Sequence, residues 1–195
     1  MSKAERTRQF IIEKTAPIFN TKGYAGTSIA DLTNATGLTK GSIYGNFTNK
    51  DEVALAAFDF NLQQVQTILR SEIQKQATAK EKLLAYVQVY SNFLKYPFPA
   101  GGCPILNTAI EADDTHEALR KKAAGAINDW KDSIIKVVSQ GVEQQEFSPS
   151  INPEQVALTI IAMIEGAMMI TKLTGKTNFR NAIMQSVEKL IEDLK

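Results

Sequence analysis

Nowhere along this 195-residue chain do side chains alternate polar and apolar as a half-buried strand requires; apolar residues recur instead at three- and four-residue steps. That rhythm breaks at a few places only: Gly23, Gly37, the run Pro97-Phe98-Pro99-Ala100-Gly101-Gly102, Asp113-Asp114-Thr115, Ser148-Pro149-Ser150 and Gly175. The expectation is an all-α fold of about nine helices. They fall near 4–22, 28–36, 40–47, 50–76, 80–96, 104–112, 116–145, 153–174 and 177–194. The first three belong to an N-terminal lobe over residues 1–49, and helix 50–76 links it to a helical lobe over 50–195.

The helix ends are written in the residues. Gly23 and Gly37 suit positions after a helix, and Pro17 should kink the first one. Thr27 or Ser28 caps the second helix, with Asp31 placed to complete a capping box. Thr39 caps the third, and Asn49 suits the start of the long fourth.

Composition excludes several classes of function. One cysteine and one histidine rule out a disulfide framework, a cysteine-rich zinc site and a histidine metal centre. The chain has no phosphate-cradling glycine loop and no histidine beside a nucleophile, so no catalytic residues, cofactor or metal are expected. The polar N-terminus lacks a signal-like apolar core, and the apolar run from Val156 to Ile170, broken by Glu165, falls short of a membrane span. A cytoplasmic protein is expected. The net charge of +1 conceals an asymmetry: residues 1–50 carry +4 and the remainder −3. A basic N-terminal lobe on an acidic body suits a polyanion met by one end.

Two short helices joined by a glycine turn form a helix-turn-helix, whose second helix enters the DNA major groove. On the wheel of residues 40–47, Ile43 and Phe47 share one face as core anchors. Gly41 and Gly45 lie opposite, flanked by Ser42 and Tyr44, with Lys40 in the first turn.

The run Gly23-Tyr24-x-x-Thr27-Ser28-Ile29-x-x-Leu32, followed by Ala35-Thr36-Gly37-Leu38-Thr39-Lys40-Gly41-Ser42-Ile43-Tyr44-x-x-Phe47-x-x-Lys50-Asp51, resembles the DNA-binding domain of the TetR/AcrR family of regulators. The resemblance covers roughly residues 7 to 55 and implies a homodimeric, ligand-responsive repressor on a palindromic operator. It assigns DNA contacts to Thr27 and Ser28 (phosphate, at a helix start), Thr39, Lys40, Gly41 and Ser42 (groove-facing), Tyr44 and Lys50 (phosphate), and Asn46. Asn46 stands where the family often has His or Tyr, and Gly45 where it usually has a larger, often aromatic residue.

In the second lobe the resemblance implies an effector pocket between helices. Tyr90, Phe93, Trp130 and Met163, with the polar Asn107 and Glu111, are the candidates for an apolar or electrophilic small molecule, though most such residues in any helical lobe are simply core. Glu165, inside an apolar helix, suits a structural partner across a subunit interface better than a ligand contact. Phe179, Ile183, Val187, Leu190, Ile191 and Leu194 form an apolar stripe on the last helix. Together with Met168 on the preceding helix, they are expected to build a four-helix interface between two subunits.

Cys103 precedes Pro104 and should cap a helix start, where a thiol has a depressed pKa. A Gly-Cys pair there resembles family members that respond to electrophiles or oxidants, so Cys103 is a candidate sensor; the plain alternative is a small thiol packed at a helix start. Two other classes stay open at this point: a helical DNA-binding protein without an effector, and an enzyme with a helical pocket.

Overall fold

The computed structural model describes residues 2–195, which contain nine α-helices and no strand among the described residues. They are α1 (Lys3–Lys22), α2 (Ile29–Thr36), α3 (Lys40–Tyr44), α4 (Lys50–Gln74), α5 (Ala79–Ser91), α6 (Pro104–Ala112), α7 (Glu117–Glu143), α8 (Pro153–Thr174) and α9 (Thr177–Glu192), with a 3-10 turn at Phe93–Lys95. The expected helix 80–96 therefore divides at Asn92, and the expected helix 40–47 ends at Tyr44 with Gly45 as its cap.

The chain forms two compact units. The first comprises residues 1–65 and 99–124; the second comprises 66–98 and 125–195. In the first unit, Ile11, Ala16, Phe19, Leu32, Ile43, Phe47, Val53, Ala54 and Ala57 close one core. It holds α1, α2, α3 and the start of α4 together, with α2 and α3 joined by a short glycine turn. The capping signals act as read from the sequence. Ser28 and Asp31 make a reciprocal capping box, and the Thr39 hydroxyl accepts from the Ser42 amide at 3.1 Å. Gly37 turns the chain between α2 and α3 with φ 68°, a left-handed conformation that side chains with a β-carbon resist. Pro17 lies inside α1, which nonetheless runs as one helix.

Residues 99–124 are part of this same unit. The Asn20 amide donates to the carbonyls of Ala100 (2.7 Å) and Gly102 (2.9 Å), and Asn107 donates to the Asn20 carbonyl at 3.0 Å. The carboxylate of Glu111, on α6, accepts from the backbone amides of Tyr24 (2.8 Å) and Ala25 (2.7 Å) just beyond α1. Gly23, with φ 74°, is required there twice over: a β-carbon would be strained by the backbone and would collide with the Glu111 carboxylate.

The second unit packs α9 against α8 and α5. The inner face of α8 carries Ala157, Ile160, Ile161, Ile164, Ala167 and Met168, and that of α9 carries Arg180, Met184, Val187 and Ile191. Val187, Ile191, Leu194 and Met168, expected at a subunit interface, are thus closed inside this unit. The physical reason is angular: α9 has two apolar faces one residue, or about 100°, apart. The stripe drawn from the sequence mixed them. Phe179, Ile183 and Leu190 lie on the outer, more exposed face. α8 is 22 residues long, with a mean hydropathy of 1.8 in its most apolar stretch. It is long and apolar enough to cross a membrane by length and composition alone, as a core helix also can be, and it extends the run Val156–Ile170 at both ends. Its inner residues are packed as those of a core helix are.

Candidate nucleic-acid interface

The candidate interface lies wholly within the first unit. α3 rests on the core through Ile43, with Phe47 beneath the turn that follows, and exposes Lys40, Gly41 and Ser42 on its outer side. Tyr44 is half-buried, with the Lys40 ammonium 5.9 Å above its ring. A β-carbon at Gly41 would meet almost nothing, so the outer side of this helix is nearly bare backbone flanked by a hydroxyl and an ammonium. A surface of that kind admits close approach of another backbone.

Two of the expected contacts take other roles. Thr27 is 0% exposed and its hydroxyl donates to the Gly23 carbonyl at 2.6 Å, so it holds the α1–α2 corner and cannot reach a phosphate. The Asn46 side-chain amide donates back to the Ser42 carbonyl at 2.9 Å, while the backbone carbonyl of Asn46 accepts from Arg8 at 2.5 Å. Ser28 is exposed, its hydroxyl donating to Asp31 at 2.7 Å. Asp31 is held well below the usual carboxylate range, first by the Lys22 ammonium at 2.6 Å and then by the Ser28 amide and hydroxyl.

The start of α4 is similarly fixed. Asn49 accepts from the Glu52 amide at 2.9 Å, and the Glu52 carboxylate accepts from the Thr48 amide at 2.6 Å and pairs with Arg8 at 2.7 Å. Those bonds, the Thr48 amide foremost, lower the Glu52 pKa. Arg8 in turn stacks on Phe47, 4.0 Å from the ring centre. Sequence reading passed over Arg8; its partners are 38 and 44 positions away and leave no local mark.

Lys50 is half-buried, its ammonium 4.2 Å over the Tyr24 ring. The Tyr24 hydroxyl donates to Asp51, and that bond, with burial second, pushes its pKa up to about 12. His116 closes the group, its ring edge-on to Tyr24 at 4.5 Å and its Nε2 3.8 Å from Asp51. The single histidine is therefore a packing partner of the α4 start.

The six candidate pocket residues divide between the units. Asn107 and Glu111 lie in the first, bonded to the end of α1 as described. Tyr90, Phe93, Trp130 and Met163 lie in the second, where Tyr90 stacks on Trp130 with ring centres 5.4 Å apart. Cys103 occupies the N-cap of α6 in an extended conformation before Pro104, as expected, but it is 2% exposed.

The relatives of the chain agree with this geometry. Residues 11–57 match the family described as "Bacterial regulatory proteins, tetR family", and residues 79–187 match "Tetracyclin repressor-like, C-terminal domain". A TetR-family transcriptional regulator from Cytophaga hutchinsonii is 50% identical, with a TM-score of 0.97 over 100% of this chain and 98% of that one. A TetR regulator from Chloroflexus aurantiacus is 35% identical, with a TM-score of 0.93 over 98% and 97% of the two chains. An uncharacterized HTH-type transcriptional regulator of Lactococcus lactis is 30% identical over 88% of this chain and 86% of its own length. With its helix-turn-helix built from α2 and α3 and its helical second unit, the chain belongs to the TetR family of helix-turn-helix transcriptional regulators.

Proposed function

We propose that this regulator is a ligand-responsive repressor that binds a palindromic operator as a homodimer in the cytoplasm. The observation that carries the DNA contact is the outer side of α3, where Lys40, Gly41 and Ser42 are exposed over an anchored Ile43. In this reading Lys40, Ser42 and the backbone at Gly41 face the major groove, with Thr39 at the helix start, while Ser28, Tyr44 and Lys50 meet phosphates. Lys3 and Arg6, exposed at the start of α1, add to the same basic surface.

A dimer is supported by the outer faces of α8 and α9. Leu158, Ala162, Met169 and Leu173 recur at helical spacing along α8, and Leu173 is 78% exposed. Phe179, Ile183 and Leu190 supply the matching face of α9. Apolar rows on two adjacent helices suit an isologous four-helix contact with a second copy. Ligand response is supported by relatives: a fatty acid metabolism regulator of Bacillus subtilis is 20% identical over 93% of the chain, and a FadR structure from that organism holds stearoyl-CoA.

Footprinting on genomic DNA tests the reading. A discrete palindrome should be protected. Tyr44→Phe and Lys50→Ala should weaken binding on every sequence, and Lys50→Ala should lower the salt slope by about one unit. Broad protection, or unchanged binding by both variants, would overturn the assignment.

A further inference from the structure

The second unit contains a buried cation that no described carboxylate pairs with. Arg180 occupies the first place in the inner row of α9, ahead of Met184, Val187 and Ile191, and is 7% exposed. Among the described residues its Nε and Nη1 have no hydrogen-bond partner. Burial draws its pKa down, with no carboxylate opposing the shift. The Phe93 ring lies 5.1 Å from the guanidinium carbon. A ring face offsets only part of the hydration a guanidinium loses, and it leaves the N–H donors without acceptors.

From Phe93 a row of rings continues through the same unit. Phe93 meets Phe98 edge-on at 6.1 Å, Phe98 meets Tyr90 at 5.6 Å, and Tyr90 stacks on Trp130 at 5.4 Å. Trp130, 8% exposed, also buries an indole N–H with no acceptor among the described residues. Unmet donors therefore stand at two points along an aromatic row, which continues from Trp130 to Tyr86 at 6.4 Å. A second copy of the chain docking on the outer faces of α8 and α9 does not supply the missing acceptors, because Arg180 is on the inner face.

We propose that the effector is an apolar carboxylic acid, its carboxylate paired with Arg180 and its body lying along the rings from Phe93 to Trp130. This rests on the reading of the protein as ligand-responsive and adds the chemical class of the ligand. A planar guanidinium accepts a carboxylate through two parallel bonds, and rings hold an apolar body without demanding one shape. The charge is then balanced only when the ligand is present, which ties the state of the second unit to occupancy.

The test uses the full-length protein and four probes: dodecanoate and 2-naphthoate, with dodecanol and 2-naphthalenemethanol as their neutral counterparts. Trp130, the single tryptophan, reports binding by its fluorescence. At least one acid should bind about tenfold or more tighter than its alcohol, and Arg180→Met should bring the acid down to the alcohol's affinity. Arg180→Lys should retain part of the preference, having the charge without the fork. Without ligand, Arg180→Met should raise the thermal midpoint, since it removes an unbalanced buried charge, whereas an arginine with a purely structural role would lower it. Equal binding of acid and alcohol by the parent overturns the carboxylate while leaving ligand response intact. So does a lowered midpoint for ligand-free Arg180→Met. Failure of all four probes to bind overturns the class; ligand response itself falls separately, if native mass spectrometry of freshly purified protein finds no small molecule and no cell extract releases the operator.

Discussion

The two units differ in how completely they meet their buried donors. In the first, Thr15, Asn20, Thr27, Thr36 and Asn61 are all buried, and each side chain donates to a backbone carbonyl. In the second, Arg180 and Trp130 bury donors that no described residue meets. Buried donors are costly to leave unmet, so the contrast distinguishes a unit complete by itself from one that awaits another molecule. A DNA reader needs a fixed shape before it meets DNA. A sensor needs two states of similar free energy, and an unmet charge keeps the empty one from being too stable.

The contrast can be broken most severely at the outer faces. If the second unit is also incomplete without a second copy, replacing Met169 and Leu173 together by Asp should raise the dimer dissociation constant by about a hundredfold or more. Specific operator binding should fall with it. Sedimentation velocity of a folded variant checks this; an unchanged dimer would place the contact elsewhere.

A smaller effect is expected in the first unit. Asn20→Leu removes the donor to the Ala100 and Gly102 carbonyls and should cost about 1–2 kcal/mol of stability. Urea denaturation reads this directly. The sign should be opposite to that of Arg180→Met, and equal signs would erase the distinction between the units.

The smallest effect separates framework from interface within the first unit. Thr27→Val should cost about 1 kcal/mol through the lost bond to Gly23 while leaving the salt dependence of DNA binding as it was. Lys50→Ala should do the reverse. A change of salt slope in Thr27→Val would return that residue to the interface.

The features legible in the sequence are the ones decided locally. Ser28 with Asp31, Thr39 with Ser42 and Asn49 with Glu52 are three-residue relations, and each forms as read. Which of two neighbouring hydroxyls faces solvent is not local. Thr27 is buried because the α1–α2 corner folds over it, and nothing in the dipeptide Thr27-Ser28 says so. Asn107 and Glu111 stand out in the sequence as polar residues among apolar ones, but their bonds to Asn20, Tyr24 and Ala25 span 86 or 87 positions and leave no local mark. Arg180 had a visible signal that the mixed stripe on α9 concealed: it stands in register with Met184, Val187 and Ile191. A cation in an otherwise apolar row is the mark to look for.

The first unit is also discontinuous in the chain, and this orders its synthesis. A ribosome adds roughly 5–20 residues per second, so α1, α2 and α3 emerge several seconds before the residues that complete their unit. During that interval the amides of Tyr24 and Ala25 lack the Glu111 carboxylate, and Asn20 lacks the carbonyls of residues 100 and 102. Those bonds to the nascent helix-turn-helix form only after residues of the other unit, 66–98, have been made. A reader that matures this late is finished only once part of its sensor has been translated.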